Sequence, residues 1–229
     1  MVLKRLSKHL LGWLGRPLRS EHSGEAKLRG PQAHVIILDG TMSTLEPGHE
    51  THAGRLYQMC REMGAEVSVF YEAGVQWTGW TSAPDVMMGR GINRQIRRAY
   101  GYLASRYRPG DRIYLMGYSR GAYAVRSLAG VIEKIGLLQA NHTTVRNIRQ
   151  VYRHYQSGAD GLFADRFRAL YCHDKVQIEV IAVWDTVRAL GANFPLFARW
   201  TVAPQLFHDH RLGHGVKRGY QALALDENR

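Results

Sequence analysis

The sequence predicts one α/β domain with a mostly parallel sheet covered by helices on both faces. Three features predict it: short apolar runs without polar alternation recur along the chain, segments of helical period lie between them, and the length of 229 residues suits a single domain of this class. With 45% hydrophobic and 22% charged residues, the chain can bury a sizeable core. No internal repeat or low-complexity tract breaks the order.

Residues 2 to 14 read as a short amphipathic helix. Leu3, Leu6, Leu10, Trp13 and Leu14 fall at helical spacing, with Lys4, Arg5 and Lys8 on the other side. Two readings fit: a helix lying on an anionic membrane surface, or a terminal helix packed on its own domain. Residues 15 to 33 mix Gly, Pro, Ser and charge without a period and read as a linker, so the domain proper is expected over 34–229.

His34 to Leu38 is an apolar run ending in Asp39-Gly40-Thr41, the pattern of a buried parallel strand. A helix is expected over 51–63, stopped by Gly64, and a second strand over 66–71. The segment from Glu72 to Gly91 is long and carries Gly, Trp77 and Trp80, which suits a lid or lipid-facing loop or an ordinary covering loop. A helix follows over 92–107, ended by Arg108-Pro109-Gly110, then a strand over 112–116 and a helix over 120–135. Helical patterns continue over 145–155 and 162–171, and a fourth strand is expected over 177–184.

The net charge of +12 draws polyanions, meaning nucleic acid or an anionic membrane. Arg90, Arg94, Arg97, Arg98, Arg106 and Arg108 are dense, but no nucleic-acid-binding motif accompanies them, so no specific nucleic-acid partner is expected. Cys60 and Cys172 lie far apart with no zinc-ligand spacing, so no metal site and no disulfide framework are expected. No run of eighteen apolar residues exists, and the basic N-terminus lacks a cleavage site after its short apolar stretch. Neither a membrane-spanning helix nor a secretory signal is expected; a cytoplasmic or peripheral membrane location is.

Gly117-Tyr118-Ser119-Arg120-Gly121 fits G-x-S-x-G, directly after an apolar strand and directly before a helix. That context marks a nucleophile elbow and predicts an α/β-hydrolase-type fold. Ser119 must stand on a tight, strained turn, and Gly117 and Gly121 leave room for it. The serine then lies at a helix N-terminus, where backbone N–H groups and the dipole favour an anion. The N–H of Arg120 is one expected oxyanion donor, and the backbone of Gly40 or Thr41 a second. Asp39 can instead hold its own loop by side-chain-to-backbone bonds. Asp185 ends the fourth strand, at the carboxyl edge of the sheet, and follows the serine in the order of an α/β-hydrolase triad. It is the expected orienting carboxylate; a capping or loop aspartate is the other reading.

The chain resembles a family of α/β-hydrolases associated with type VI secretion phospholipase effectors. The resemblance lies in Leu38 to Thr41 (LDGT), Tyr107 to Gly130 (YRPGDRIYLMGYSRGAYAVRSLAG), Val183 to Val187 (VWDTV) with Gly191, and Ala222 to Arg229 (ALALDENR). It implies a serine esterase or lipase mechanism on a lipid or other ester, needing no cofactor, with Ser119 attacking the carbonyl and Asp185 orienting a histidine. It also implies possible export through a type VI apparatus without a cleavable signal.

Two departures stand out. Many members carry histidine just before the Ala-Leu-Ala stretch, where this chain has Gln221, and glutamine cannot act as a general base. The chain also stops at Arg229, where family members continue, so a histidine beyond that point would be absent. Downstream of Asp185 the base is expected at His208, with His210 and His214 as alternatives, or none of these if all are loop histidines. The competing functional reading is a catalytically inactive member of the fold that acts as a binding protein. None of these features speaks to oligomeric state.

Overall fold

The computed structural model describes residues 29–40, 43–74, 90–158, 161–184 and 213–223. The amphipathic stretch over 2–14, most of the linker, Trp77 and Trp80, and the stretch over 185–212 lie outside the described residues.

In chain order the elements are β1 (Ala33–Leu38), α1 (His52–Glu62), β2 (Val67–Glu72), α2 (Arg90–Ala104), β3 (Arg112–Tyr118), α3 (Arg120–Ile135), α4 (Val145–Gln156), α5 (Leu162–Tyr171), β4 (Ile178–Trp184) and β5 (Val216–Ala222). The strands form one sheet in the order β2-β1-β3-β4-β5, with every pairing parallel. This is an α/β fold of the expected class, with helices on both faces.

The strand AHVIIL shows why the pattern is apolar throughout. Ile36 and Leu38 face a core shared with α2, α3 and α4, while Val35 and Ile37 face Ala53 and Cys60 of α1. Both faces are dry from Val35 onward, so these positions are apolar, and the one polar residue of the strand, His34 at its start, is bonded to a carboxylate. The helix α3 runs through the first core and buries residues on most sides from Gly121 to Ile135. Two threonines start helices as their type favours: Thr51 accepts the N–H of Gly54 at 2.9 Å, and Thr144 that of Asn147 at 3.1 Å. Cys60 and Cys172 are both buried free thiols, and burial pushes Cys172 up to about 11.

The connection leaving β1 crosses the α1 face toward β2, whereas the connection leaving β3 crosses the α3 face toward β4. Adjacent strands whose crossovers part in opposite directions open a crevice at their carboxyl ends, where sheets of this kind bind ligands. Here that crevice lies between Leu38 and Gly117, which pair in register.

β5 was not expected from the sequence. It carries VKRGYQA, exposed at nearly every position, and pairs only with β4 among the described residues. An edge strand with charge and glycine lacks the apolar run that marks a buried strand.

At the opposite, amino edge of the sheet, Asp111 is held by five contacts. Arg29 donates to both carboxylate oxygens at 2.8 and 2.6 Å, and the N–H groups of Gln32 and Arg108 at 2.9 and 2.8 Å. The Nε2 of His34 lies 2.9 Å from Oδ2. Burial opposes ionisation of Asp111, but these donors outweigh it and hold the carboxyl well below the usual range. For His34, which is wholly buried, burial is the largest influence and lowers its pKa despite the Asp111 bond.

Candidate active site

Ser119 occupies the turn between β3 and α3 with φ 54° and ψ −116°. Among the described residues no other non-glycine has a positive φ. An L-residue in this region carries strain of roughly 1–3 kcal/mol, which persists only where the surroundings over-determine it. The surroundings are glycines at close approach. A methyl on Gly121 would overlap the carbonyl of Leu38 in β1, and one on Gly117 would lie 2.6 Å from the carbonyl oxygen of Gly121. Backbone therefore packs directly on backbone on both sides of the serine. The Ser119 side chain makes no capping bond to α3, so its hydroxyl is not spent on the helix.

Across the crevice, Gly40 faces the same turn. A methyl there would stand 2.8 Å from the Tyr118 ring and 3.4 Å from the Ser119 Cβ. Its N–H, however, donates to Oδ1 of Asp39 at 2.7 Å, so in this arrangement that expected oxyanion donor is occupied. Asp39 is fully buried and also accepts from the Thr51 hydroxyl at 2.6 Å and the Tyr71 phenol at 2.8 Å. Burial, then the Asp39 bond, raises the Tyr71 pKa, so the phenol stays a donor. Asp39 thus takes the structural role: it holds the loop after β1 and ties it to α1 and β2.

Arg120 is the first residue of α3, so its backbone N–H has no intrahelical acceptor and faces the anion-favouring end of the helix. Its guanidinium is half-buried, and that burial lowers its pKa. The N–H of Ser119 donates to the carbonyl of Trp184, the last residue of β4, at 3.0 Å. Trp184 pairs with Ala222 of β5, and Val183 with Gln221, so Gln221 stands near the same edge of the sheet. Its Oε1 accepts from Arg126 on α3 at 3.1 Å.

Of the residues singled out by sequence, Ser119, Arg120, Gly117, Gly121 and Gly40 therefore come together at one edge. Thr41, Asp185, His208 and His210 lie outside the described residues. His214 is corrected. It precedes β5 at the amino edge, where its N–H donates to Glu133 in the last turn of α3 at 2.8 Å. The sixteen residues of α3 span about 24 Å, so His214 cannot serve a serine at the other end. Only its position after Asp185 had recommended it. A cavity of about 750 Å³, lined among others by Asp111, Glu133, His173 and His214, opens at that amino edge, away from Ser119. Among the described residues no three His, Cys, Asp or Glu stand together as metal ligands.

Sequence reasoning missed the bracing of Asp39 by Thr51 and Tyr71. The aspartate at a strand end was visible, but partners twelve and thirty-two residues away are a matter of tertiary structure.

Comparison with known proteins gives the family. The family model described as "T6SS, Phospholipase effector Tle1-like, catalytic domain" matches residues 32–229. The chain is also 28% identical over 220 residues to "Uncharacterized protein YEL023C" of Saccharomyces cerevisiae, covering 85% of this chain and 31% of that protein. It thus spans about a third of the length of this curated relative.

Proposed function

Starting from a chain that belongs to the Tle1-like catalytic-domain family of type VI secretion phospholipase effectors, we propose that it is a serine-dependent carboxylic ester hydrolase acting on phospholipids, with Ser119 as nucleophile. The observation that carries this reading is the strained backbone of Ser119 at φ 54°, wedged between Gly117 and Gly121 at the sheet's switch point.

In this reading Ser119 Oγ attacks the acyl carbonyl while a histidine takes its proton. The tetrahedral oxyanion sits at the start of α3, where the Arg120 N–H donates to it. A second donor comes from the loop after β1, at Thr41 or at Gly40 once its N–H turns from Asp39. The histidine then protonates the departing alcohol, and water releases the acyl group by the reverse sequence. Asp185, one peptide bond beyond Trp184, orients the histidine. His208 is the leading base and His210 the next. The family is consistent with export through a type VI apparatus, and a peripheral place on an anionic membrane belongs to the same proposal. Among the described residues no helix is long and apolar enough to cross a membrane.

A second reading has its own support. The side chain of Gln221, where many members carry histidine, is tied to Arg126 near this edge. It describes a fold retained for binding with the base lost. Hydrolysis of phospholipid vesicles and of a soluble short-chain ester by the wild-type protein and Ser119→Ala separates the two. Activity that Ser119→Ala removes supports the enzyme; activity equal in both would sink the assignment of Ser119.

A further inference from the structure

We infer that the corner formed by the exposed faces of α4 and of the first turn of α5 is a docking surface for an anionic lipid bilayer, built around Phe163 and Leu162 and rimmed by arginines. The inference rests on the phospholipid reading for its purpose, but its surface chemistry stands apart from Ser119.

The corner lies at the end of the molecule where Ser119 stands. The α2 helix starts there, because Gln95 in its second turn donates to the carbonyl of Glu72, the last residue of β2, at 3.3 Å. The second half of α4 lies beside that start: the Tyr152 phenol donates to Oδ1 of Asn93 at 2.7 Å. The α5 helix then runs back toward the amino edge, with His154 against Phe167 at 5.4 Å and Arg168 near Gly136 at the far end of α3. The first residues of α5 are thereby left at the carboxyl edge.

Phe163 is the most exposed large apolar residue among those described. Phe163 is 80% exposed and Leu162 62%, whereas α5 buries only Ala164 and Phe167. Large neighbouring apolar side chains left in water mark an interaction surface. The charge around them says what kind. Arg146, Arg149 and Arg153 form one exposed stripe on α4, and Arg166 lies one turn from Phe163 on α5. No carboxylate among the described residues pairs with Arg149, Arg153 or Arg166. Asp165 lies about 160° around α5 from Phe163 but one turn from Leu162, a single carboxylate against the four exposed arginines among the described residues of this surface. An aromatic and a leucine bordered by arginines match the boundary of a bilayer, with rings at the acyl edge and cations among anionic headgroups.

The test is co-sedimentation of the full chain with vesicles of phosphatidylcholine alone and with equal parts phosphatidylglycerol. Phe163→Ser is expected to weaken binding to the anionic vesicles about tenfold, in line with the burial of an aromatic side chain. Arg166→Glu is expected to weaken it at least about fivefold, since one interfacial cation is worth on the order of 1 kcal/mol. Arg61→Glu, a charge reversal of the same size on the α1 face, is expected to leave binding unchanged. Circular dichroism and hydrolysis of a soluble ester are read on each variant and should match the wild-type protein. Equal loss in all three variants, unchanged binding in Phe163→Ser, or no preference for anionic vesicles overturns the inference. Absence of any ester hydrolysis overturns the enzyme reading instead, and the binding comparison still decides this one.

Discussion

The backbone N–H of Ser119 donates to the carbonyl of Trp184 across 3.0 Å. This bond fastens the turn after β3 to the last residue of β4, at one edge of the sheet. The residue after Trp184 is Asp185. Asp185→Asn is expected to keep the fold and to lower ester hydrolysis roughly 10⁴-fold, the scale on which a triad loses activity when its histidine is held in the wrong tautomer. Initial rates on a soluble ester check it. A loss under tenfold would return Asp185 to a loop or capping role.

The strain at Ser119 predicts a trade between stability and activity. Alanine at φ 54° is as strained as serine, and the serine side chain makes no helix cap, so Ser119→Ala should stay within about 0.5 kcal/mol of the wild-type protein. Glycine adopts this conformation freely, so Ser119→Gly should be more stable than Ser119→Ala by about 1 kcal/mol while equally inactive. Urea denaturation of the three proteins measures both differences. Ser119→Gly less stable than Ser119→Ala would show that the turn is relaxed.

Gly121 predicts a steric failure. Its missing side chain lets α3 start directly against the Leu38 carbonyl. Gly121→Ala forces β1 and α3 apart and should cost at least about 3 kcal/mol, together with activity. Gly110→Ala is the control. There a Cβ meets nothing within 4 Å but φ is 95°, so strain alone is tested, away from the site. A cost at Gly121 no larger than at Gly110 would mean that the contact is not rigid.

Much of this was legible in the sequence because the sheet's interior leaves few choices. Strands covered by helices favour apolar runs, and β1 to β4 were each found within a residue or two, from His34–Leu38 to Gln177–Trp184. G-x-S-x-G between strand and helix located the turn because Gly117 and Gly121 are sterically required there. The polar edge strand β5 was invisible for the opposite reason: no core demands apolar residues of it. His214 misled because chain order cannot tell the two edges of a sheet apart. The commitment of the Gly40 N–H to Asp39 was likewise hidden, since it depends on a buried carboxylate whose partners come from α1 and β2.

The Asp111 network sets a pH dependence. Its carboxyl is depressed in the folded state, so it contributes stability above the ordinary value near 3.9 and loses it progressively as pH falls from there through the lower value of the folded state. His34 is depressed too, so the unfolded chain takes up its proton first. Stability therefore begins to fall below about pH 6.5, the ordinary histidine value. Asp111→Asn leaves Arg29 without its carboxylate and should cost on the order of 3 kcal/mol at pH 7, a cost that shrinks below about pH 4. Urea midpoints across pH check it. A cost that does not change with pH would contradict the assignment to a charged Asp111.

The most direct test of the central claim is labelling of the purified protein with a fluorophosphonate, read by intact mass beside Ser119→Ala. An activated serine in this turn predicts a single adduct on the wild-type protein and none on Ser119→Ala. No adduct on folded wild-type protein, or an adduct that survives Ser119→Ala, would contradict it.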